Sequence, residues 1–451
     1  MIDEGKEELS SMLMSLVNII LKKLNQYQEN GSLQFVKKSY SITRIKKLNY
    51  DKGINRVESY LDSIVKDEWL EFDRYKKIEE FLSTLIESKT TIDAISNKYQ
   101  LETKKAKEYL KSFIVKLTIG FPSQISNEKI LKVITNFIRD LEGGELNIEL
   151  EAWLQGVWLE VDQLVIGDRI ILRKPRTNDF ELEMPMDYFP SFYQNLFSLY
   201  PAAILSIKSR AKSNIQIQDE LEIILMLLKL FKLGSVFACK YDIRNDSIIN
   251  MSFVSHYSNK KYTSQYKYGI FNNEVVLLNK FYQSLHNKLK IILCDHNICS
   301  SYLKIAISRY SDSINGSDSN EKRIAFAISC LESLFLKKNE ESELSHRLAQ
   351  RVAILLKVYK YNPIEVYNKI TKAYKIRSVF IHGSLIDTEE KEAIKKLANV
   401  ILDYTRICLI IHIQISDNLE KDYIINKLDH STLDYNSFDK LNNLLNDIVI
   451  T

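Results

Sequence analysis

The sequence predicts a mainly α-helical chain with an α+β middle domain and a C-terminal helical bundle. Three observations carry this. Glycine and proline are scarce, at 12 and 6 of 451 residues, which suits long helices. Apolar residues recur at three- and four-residue steps through most of the chain, as in Leu9, Met12, Leu13, Leu16, Val17 and Ile20. Between Gly143 and about Pro190 that period gives way to alternation cut by Gly143, Gly144, Gly156, Gly167 and Pro175, which suits short strands.

Residues 1–142 read as helical throughout. From Lys76 the segment KKIEEFLSTLIESKTTIDAISNKYQLETKKAKEYLKSFI divides into three short helices, the second capped by Thr90 or Thr91. This is the outline of a helix-turn-helix, and Lys104, Lys105, Lys107 and Lys111 would face phosphates if its third helix lay in a major groove. Lysines on an amphipathic helix are more often a solvated face, and Gln100 stands in the turn where glycine would be the stronger signal. The reading therefore favours a three-helix packing unit.

Residues 143–275 are expected to form the α+β domain. Ile166-Gly167-Asp168 marks a hairpin turn between Val161/Leu164 and Ile170/Leu172, and Lys240–Tyr268 supplies further strands after a helix near Asp219–Leu233. Residues 276–420 form the bundle, with helices at about Asn279–Tyr310, Glu321–Leu336, Leu344–Tyr359, Pro363–His382 and Thr388–Ile415. The polar stretch SDSINGSDSNEK from Ser311 interrupts them, and residues 421–451 form a helical tail.

A net charge of +4 is small for this length and does not indicate a globally basic nucleic-acid binder. Five cysteines in or beside apolar stretches suit reduced thiols, and hence a cytoplasmic protein. The opening MIDEGKEELSS is acidic where a secretory leader is basic, so no signal peptide is expected. Leu221–Phe231 and Val400–Ile415 contain charged residues and read as core helices, so no membrane partner is expected. Cys294, His296 and Cys299 lack a second ligand pair at zinc spacing, and phosphate loops, HExxH and serine elbows are missing. Neither metal nor cofactor is expected.

Two arginine–histidine pairs remain. Arg406 and His412 lie inside an apolar helix and read as a satisfied core or helix-edge pair. Arg377 and His382, in YKIRSVFIHGS, differ because Gly383 suits a helix C-terminus, and Asp387 with Glu390 starts the next helix. Five helical residues turn about 500°, leaving the two side chains roughly 140° apart, so a joint site needs an unwound last turn or a second copy of the motif. The helix dipole favours the cationic histidine and Arg377 opposes it, which places its titration near neutrality. Such a pair suits RNA cleavage, with arginine holding the scissile phosphate and histidine moving a proton.

The run RIAFAISCLESLFLKKNEESELSHRLAQRVAILL, Arg323–Leu356, followed by AYKIRSVFIHGSL, resembles the HEPN (higher eukaryotes and prokaryotes nucleotide-binding) superfamily, in the Apea-like branch of bacterial anti-phage proteins. The resemblance covers about residues 280–415, and the strand-rich stretch is similar to the region preceding such domains. It implies a bundle of four to five helices. It also implies a homodimeric or higher assembly whose composite cleft cleaves RNA without a metal, leaving a 2′,3′-cyclic phosphate and a 5′-hydroxyl. By resemblance Arg377 and His382 are the catalytic candidates, and Ser378, Glu332, Tyr374 and Arg351 the supporting ones. Ser378 stands where many HEPN proteins have Asn, Asp or His, a choice associated with the Apea-like branch. Residues 1–275 would then sense a phage-derived or nucleic-acid trigger. The alternative is a silent HEPN scaffold, with the helix-turn-helix-like segment contacting nucleic acid.

Overall fold

Apolar spacing and turn chemistry divide the chain between two hydrophobic cores. The computed structural model describes residues 4–33, 35–69, 71–119, 125–180, 182–185, 201–250, 253–257, 267–294, 302–315, 319–381, 391–416 and 419–450. The chain is mainly helical, with an antiparallel sheet in its middle.

The smaller core belongs to α1 (Glu4–Glu29), α2 (Glu71–Thr84), α3 (Ile86–Tyr99), α4 (Thr103–Thr118) and α5 (Asn127–Leu141). The expected stripe of α1 is buried at Leu9, Leu13, Leu16, Val17 and Ile20, against Phe81, Ile95, Leu110 and Phe137. Residues 1–142 are nevertheless not all helical. Between α1 and α2 the strands β1 (Phe35–Asp51) and β2 (Ile54–Trp69) form a long antiparallel hairpin. Asp51 pairs with Ile54, and the two loop residues, Lys52 at φ 44° and Gly53 at φ 78°, both take the left-handed backbone that a two-residue hairpin turn requires. Interspersed lysines made these strands resemble the polar face of a helix.

The hairpin tip is docked. The Tyr50 hydroxyl donates to the Ala202 carbonyl at 2.8 Å and accepts from the Leu159 N–H at 3.2 Å. A Cβ on Gly53 would lie 2.9 Å from that of Trp158. Gly53→Ala combines a positive φ with this contact, and should lower stability by about 1–3 kcal/mol. A lowered urea midpoint, with faster proteolysis in the hairpin, is the expected outcome; an unchanged midpoint would contradict it.

Thr90 and Thr91 do not cap α3. Its cap position is Leu85, and the two threonines lie inside the helix, donating to the carbonyls of Ile86 (3.2 Å) and Glu87 (2.6 Å) respectively. Gln100 ends α3 at φ 51°, the turn conformation that glycine would have adopted freely. On α4, Lys107 and Lys111 bond to Glu79 of α2 at 3.3 and 2.5 Å, so two of the four lysines tie helices together.

The main sheet runs β10 (Phe253–Tyr257), β9 (Phe237–Asn245), β3 (Leu146–Gln155), β8 (Ala203–Ala211), β6 (Ile170–Arg173), β5 (Gln163–Ile166), with antiparallel neighbours. Gly167, at φ 58°, lies in the expected turn between β5 and β6. β4 (Val157–Leu159) pairs in parallel with β11 (Tyr268–Ile270), and β7 (Leu182–Pro185) extends the N-terminal hairpin. Alternation works as the period-two rule requires: Leu146, Ile148, Leu150, Ala152 and Leu154 are buried, whereas Asn147 and Glu149 are exposed. The buried face packs against α6 (Asn214–Phe231).

The sheet joins the N-terminal helices through the turn after β9. Asp140 of α5 accepts from the Ser247 hydroxyl at 2.8 Å and the Ile248 N–H at 2.6 Å, while Ile248 enters the N-terminal core. Arg139 adds an ion pair to Asp246 at 2.8 Å.

The bundle contains α7 (Val275–Cys294), α8 (Tyr302–Asn315), α9 (Asn320–Phe335), α10 (Leu344–Val358), α11 (Pro363–Ile381) and α12 (Lys391–Ile415). Beyond it lie α13 (Lys421–Ser431) and α14 (Tyr435–Leu444), the expected helical tail. The helix expected over Asn279–Tyr310 is two helices, with 295–301 outside the described residues. The core is continuous across residue 275, because α6 packs between the sheet and the bundle. Among the described residues, α12 is the one helix long and apolar enough to cross a membrane, and 78% of its apolar window is buried inside the protein. It is the central core helix.

Candidate active site at the end of helix α11

The buried stripe of α11 is Val366, Ile370, Ala373 and Ile376. Helical geometry then sets Tyr374, Arg377 and Ser378 on the half-buried border of that stripe, and α9 presents Glu332 to them. Arg377 Nη2 donates to Glu332 Oε2 at 3.2 Å, and its guanidinium carbon lies 5.6 Å from the centre of the Tyr374 ring. Tyr374 also hydrogen-bonds Glu332. Three residues 45 positions apart or less in sequence thus form one cluster.

Burial pushes the Glu332 carboxyl above its usual range, while the Arg377 charge and the Tyr374 hydrogen bond oppose that rise. Burial likewise raises the Tyr374 phenol, assisted by the Glu332 charge. Arg377 Nε is buried and has no hydrogen-bond partner among the described residues. An ion pair with side chains 26% and 19% exposed contributes about 1 kcal/mol or less. The part-exposed guanidinium is thus held by a weak internal partner, which an incoming phosphate oxygen can compete with.

The remaining expected residues divide. Ser378 is half-buried beside Arg377. His382, Gly383, Asp387 and Glu390 lie outside the described residues, as do His296 and Cys299. Arg351 does not support this cluster. It is 2% exposed, and it donates to Glu340 at 2.6 and 2.7 Å, to Asp429 at 2.7 and 2.9 Å, and to the Phe335 carbonyl at 2.8 Å. These bonds join α10 to the segment after α9 and to α13, so its role is structural.

The second arginine–histidine pair is also resolved into separate parts. Arg406 is satisfied, by Asp403 at 2.9 Å and the Leu230 carbonyl at 2.8 Å. His412 is not its partner. It is fully buried, edge-on to Phe335 with ring centres 5.0 Å apart, and neither ring nitrogen has a hydrogen-bond partner among the described residues. Burial, with some help from the Lys421 charge, drives its pKa down to about 3.

One histidine the sequence reading passed over is placed for chemistry. His286 Nε2 lies 2.7 Å from Glu220 Oε1, and its ring packs 4.7 Å from that of Tyr282. Glu220 and His286 are 66 positions apart on α6 and α7, so no local pattern announces the pair. Among the described residues no cluster of three or more His, Cys, Asp or Glu side chains could hold a metal ion. Comparison with protein-family models, curated proteins and solved structures gives no match.

Proposed function

We propose that the chain is a HEPN-type endoribonuclease, an effector of anti-phage defence that cuts RNA without a metal at a cleft shared by two protomers. The observation that carries this reading is the Arg377–Glu332–Tyr374 cluster, in which Glu332 and Tyr374 orient the arginine of the RSVFIHG motif near the end of α11. In the reaction the 2′-oxygen attacks the adjacent phosphorus and the bond from phosphorus to the 5′-oxygen breaks. The 2′-hydroxyl proton is removed and a proton is delivered to the departing 5′-oxygen, leaving a 2′,3′-cyclic phosphate and a 5′-hydroxyl. Arg377 stabilises charge on the non-bridging oxygens, and His382 carries the proton. Val379, Phe380 and Ile381, in the last turn of α11, are 37%, 39% and 55% exposed, an apolar helix end that a second protomer would cover.

The scaffold alternative places nucleic acid on the lysines of α4. Lys107 and Lys111 are occupied by Glu79, which leaves that reading only Lys104 and Lys105 of the four as exposed lysines without an acidic partner among the described residues. Purified full-length protein, Arg377→Ala and His382→Ala, incubated with total RNA in a chelator, separate the two readings. Cleavage by the wild type, reduced about a thousandfold or more in each variant, is expected, since loss of a transition-state charge stabiliser or of the proton carrier costs several kcal/mol. Equal cleavage by all three proteins, or none with extract from infected cells included, would sink the ribonuclease reading.

A further inference from the structure

The outward face of the main sheet carries a second feature, which the ribonuclease reading does not use. Register places Lys208, Glu149, Arg244 and Phe253 side by side across β8, β3, β9 and β10, with Arg210 opposite Asn147 one step further along the same face. All six side chains are exposed, Phe253 at 50%. The Arg244 guanidinium carbon lies over the Phe253 ring, 5.9 Å from its centre, a cation–π contact.

This end of the sheet opens into a trough of about 780 Å³ lined by Arg169, Lys208, Arg210 and Arg244. A second cleft of about 620 Å³ shares Arg169, Lys208 and Arg210 with it, and continues past Lys212 and Lys290 towards His286. The two form one groove around the edge of the sheet.

Charge balance in the trough is one-sided. Glu149 is matched by Lys208 at 3.5 Å, and Asp246 by Arg139 at 2.8 Å. Along the same face Glu151 is matched by Arg173 at 3.3 Å and Asp242 by Lys240 at 2.9 Å. Arg169, Arg210 and Arg244 pair with no acid among the described residues; Glu145 is the unmatched acid of the trough, and Asp168 and Asp219 line only its continuation towards His286. A sheet face that carries unmatched arginines on separate strands, beside an exposed aromatic ring, meets the needs of a phosphodiester strand, with backbone neutralised by arginine and a base stacked on the ring.

We propose that this groove binds single-stranded nucleic acid, through Arg169, Arg210 and Arg244 on its backbone and Phe253 against a base. The site lies outside the α11 cluster and does not depend on RNA being cleaved there. The trough is shallow and open, which suits a continuous strand better than a single nucleotide.

The test is fluorescence anisotropy with full-length protein and fluorescein-labelled 20-mers, one of 2′-O-methyl oligouridylate, which resists attack by its own 2′-oxygen, and one of oligothymidylate. Saturable binding is expected, with log affinity falling against log salt at a slope of about −2, the value for roughly three neutralised phosphates. Arg210→Gln/Arg244→Gln should weaken it at least tenfold and flatten the slope, and Phe253→Ala should weaken it about tenfold with the slope kept. All three side chains are exposed, so circular dichroism and melting should match the wild type. Preference between the two probes identifies RNA or DNA as the ligand, either of which supports the groove. No saturable binding at about 0.1 M salt, unchanged affinity in both variants, or displacement of the 20-mers by uridine monophosphate at equal concentration would each overturn it.

Discussion

Arg351→Met is expected to lower stability by about 3–5 kcal/mol, the range for removing one member of a buried charge pair. The guanidinium is the common partner of Glu340, Asp429 and the Phe335 carbonyl, so its loss leaves a carboxylate and a carbonyl in a nearly dry site. Thermal melting should fall by on the order of 10 °C. Acid titration supplies a second readout. The hydrogen bond from Arg351 is the largest influence holding the Glu340 carboxyl down, to about 2. A depressed folded-state pKa contributes stability above the unfolded value, near 4.5, that is lost as pH falls towards 2. In Arg351→Met that part of the acid dependence should shrink, leaving what the Lys337 N–H and Arg347 contribute. A melting temperature within about 2 °C of wild type would remove Arg351 from the structural role assigned to it.

His412→Leu should act in the opposite direction. The folded protein holds this imidazole neutral down to about pH 3, whereas the unfolded chain protonates it near 6.5. Between those values the unfolded state binds more protons, so stability falls as pH is lowered, by about 1.4 kcal/mol for each unit. Leucine abolishes that loss. It also removes two buried nitrogens that lack partners among the described residues, and stability at pH 7 should rise by about 1–3 kcal/mol. Urea midpoints of the two proteins at pH 7 and pH 4.5 check both statements. A variant less stable than wild type at both values, with the same pH dependence, would show that the imidazole makes contacts essential to the core.

The bundle was legible because its helices obey a single strong period and end at recognisable residues. Asn320–Phe335, Leu344–Val358 and Pro363–Ile381 fall within one or two residues of the boundaries expected from spacing and caps. The β1–β2 hairpin was not legible. Its turn has lysine before Gly53 in place of the asparagine or aspartate that usually marks such a loop, and its strands interleave lysines with apolar residues at no consistent step. The site was half legible. Glu332, Tyr374 and Arg377 do converge, because α9 and α11 pack side by side. Arg351 was misplaced because a buried structural arginine and a functional one read alike, and Asp429, which reveals its role, is 78 positions away. The Lys208–Glu149–Arg244–Phe253 row was invisible for a related reason: it exists only once strand register is known.

The central claim is that Arg377 serves attack by a 2′-hydroxyl on its own phosphate. A synthetic RNA containing the preferred cleavage step, with and without a single 2′-deoxy substitution on the 5′ side of the scissile bond, tests it most directly. The account predicts that wild-type protein in a chelator cuts the all-ribose strand to a 2′,3′-cyclic phosphate and a 5′-hydroxyl, leaves the substituted strand intact at that bond, and cuts neither when Arg377 is alanine. Cleavage of the 2′-deoxy strand at an equal rate, or products bearing a 5′-phosphate, would contradict it.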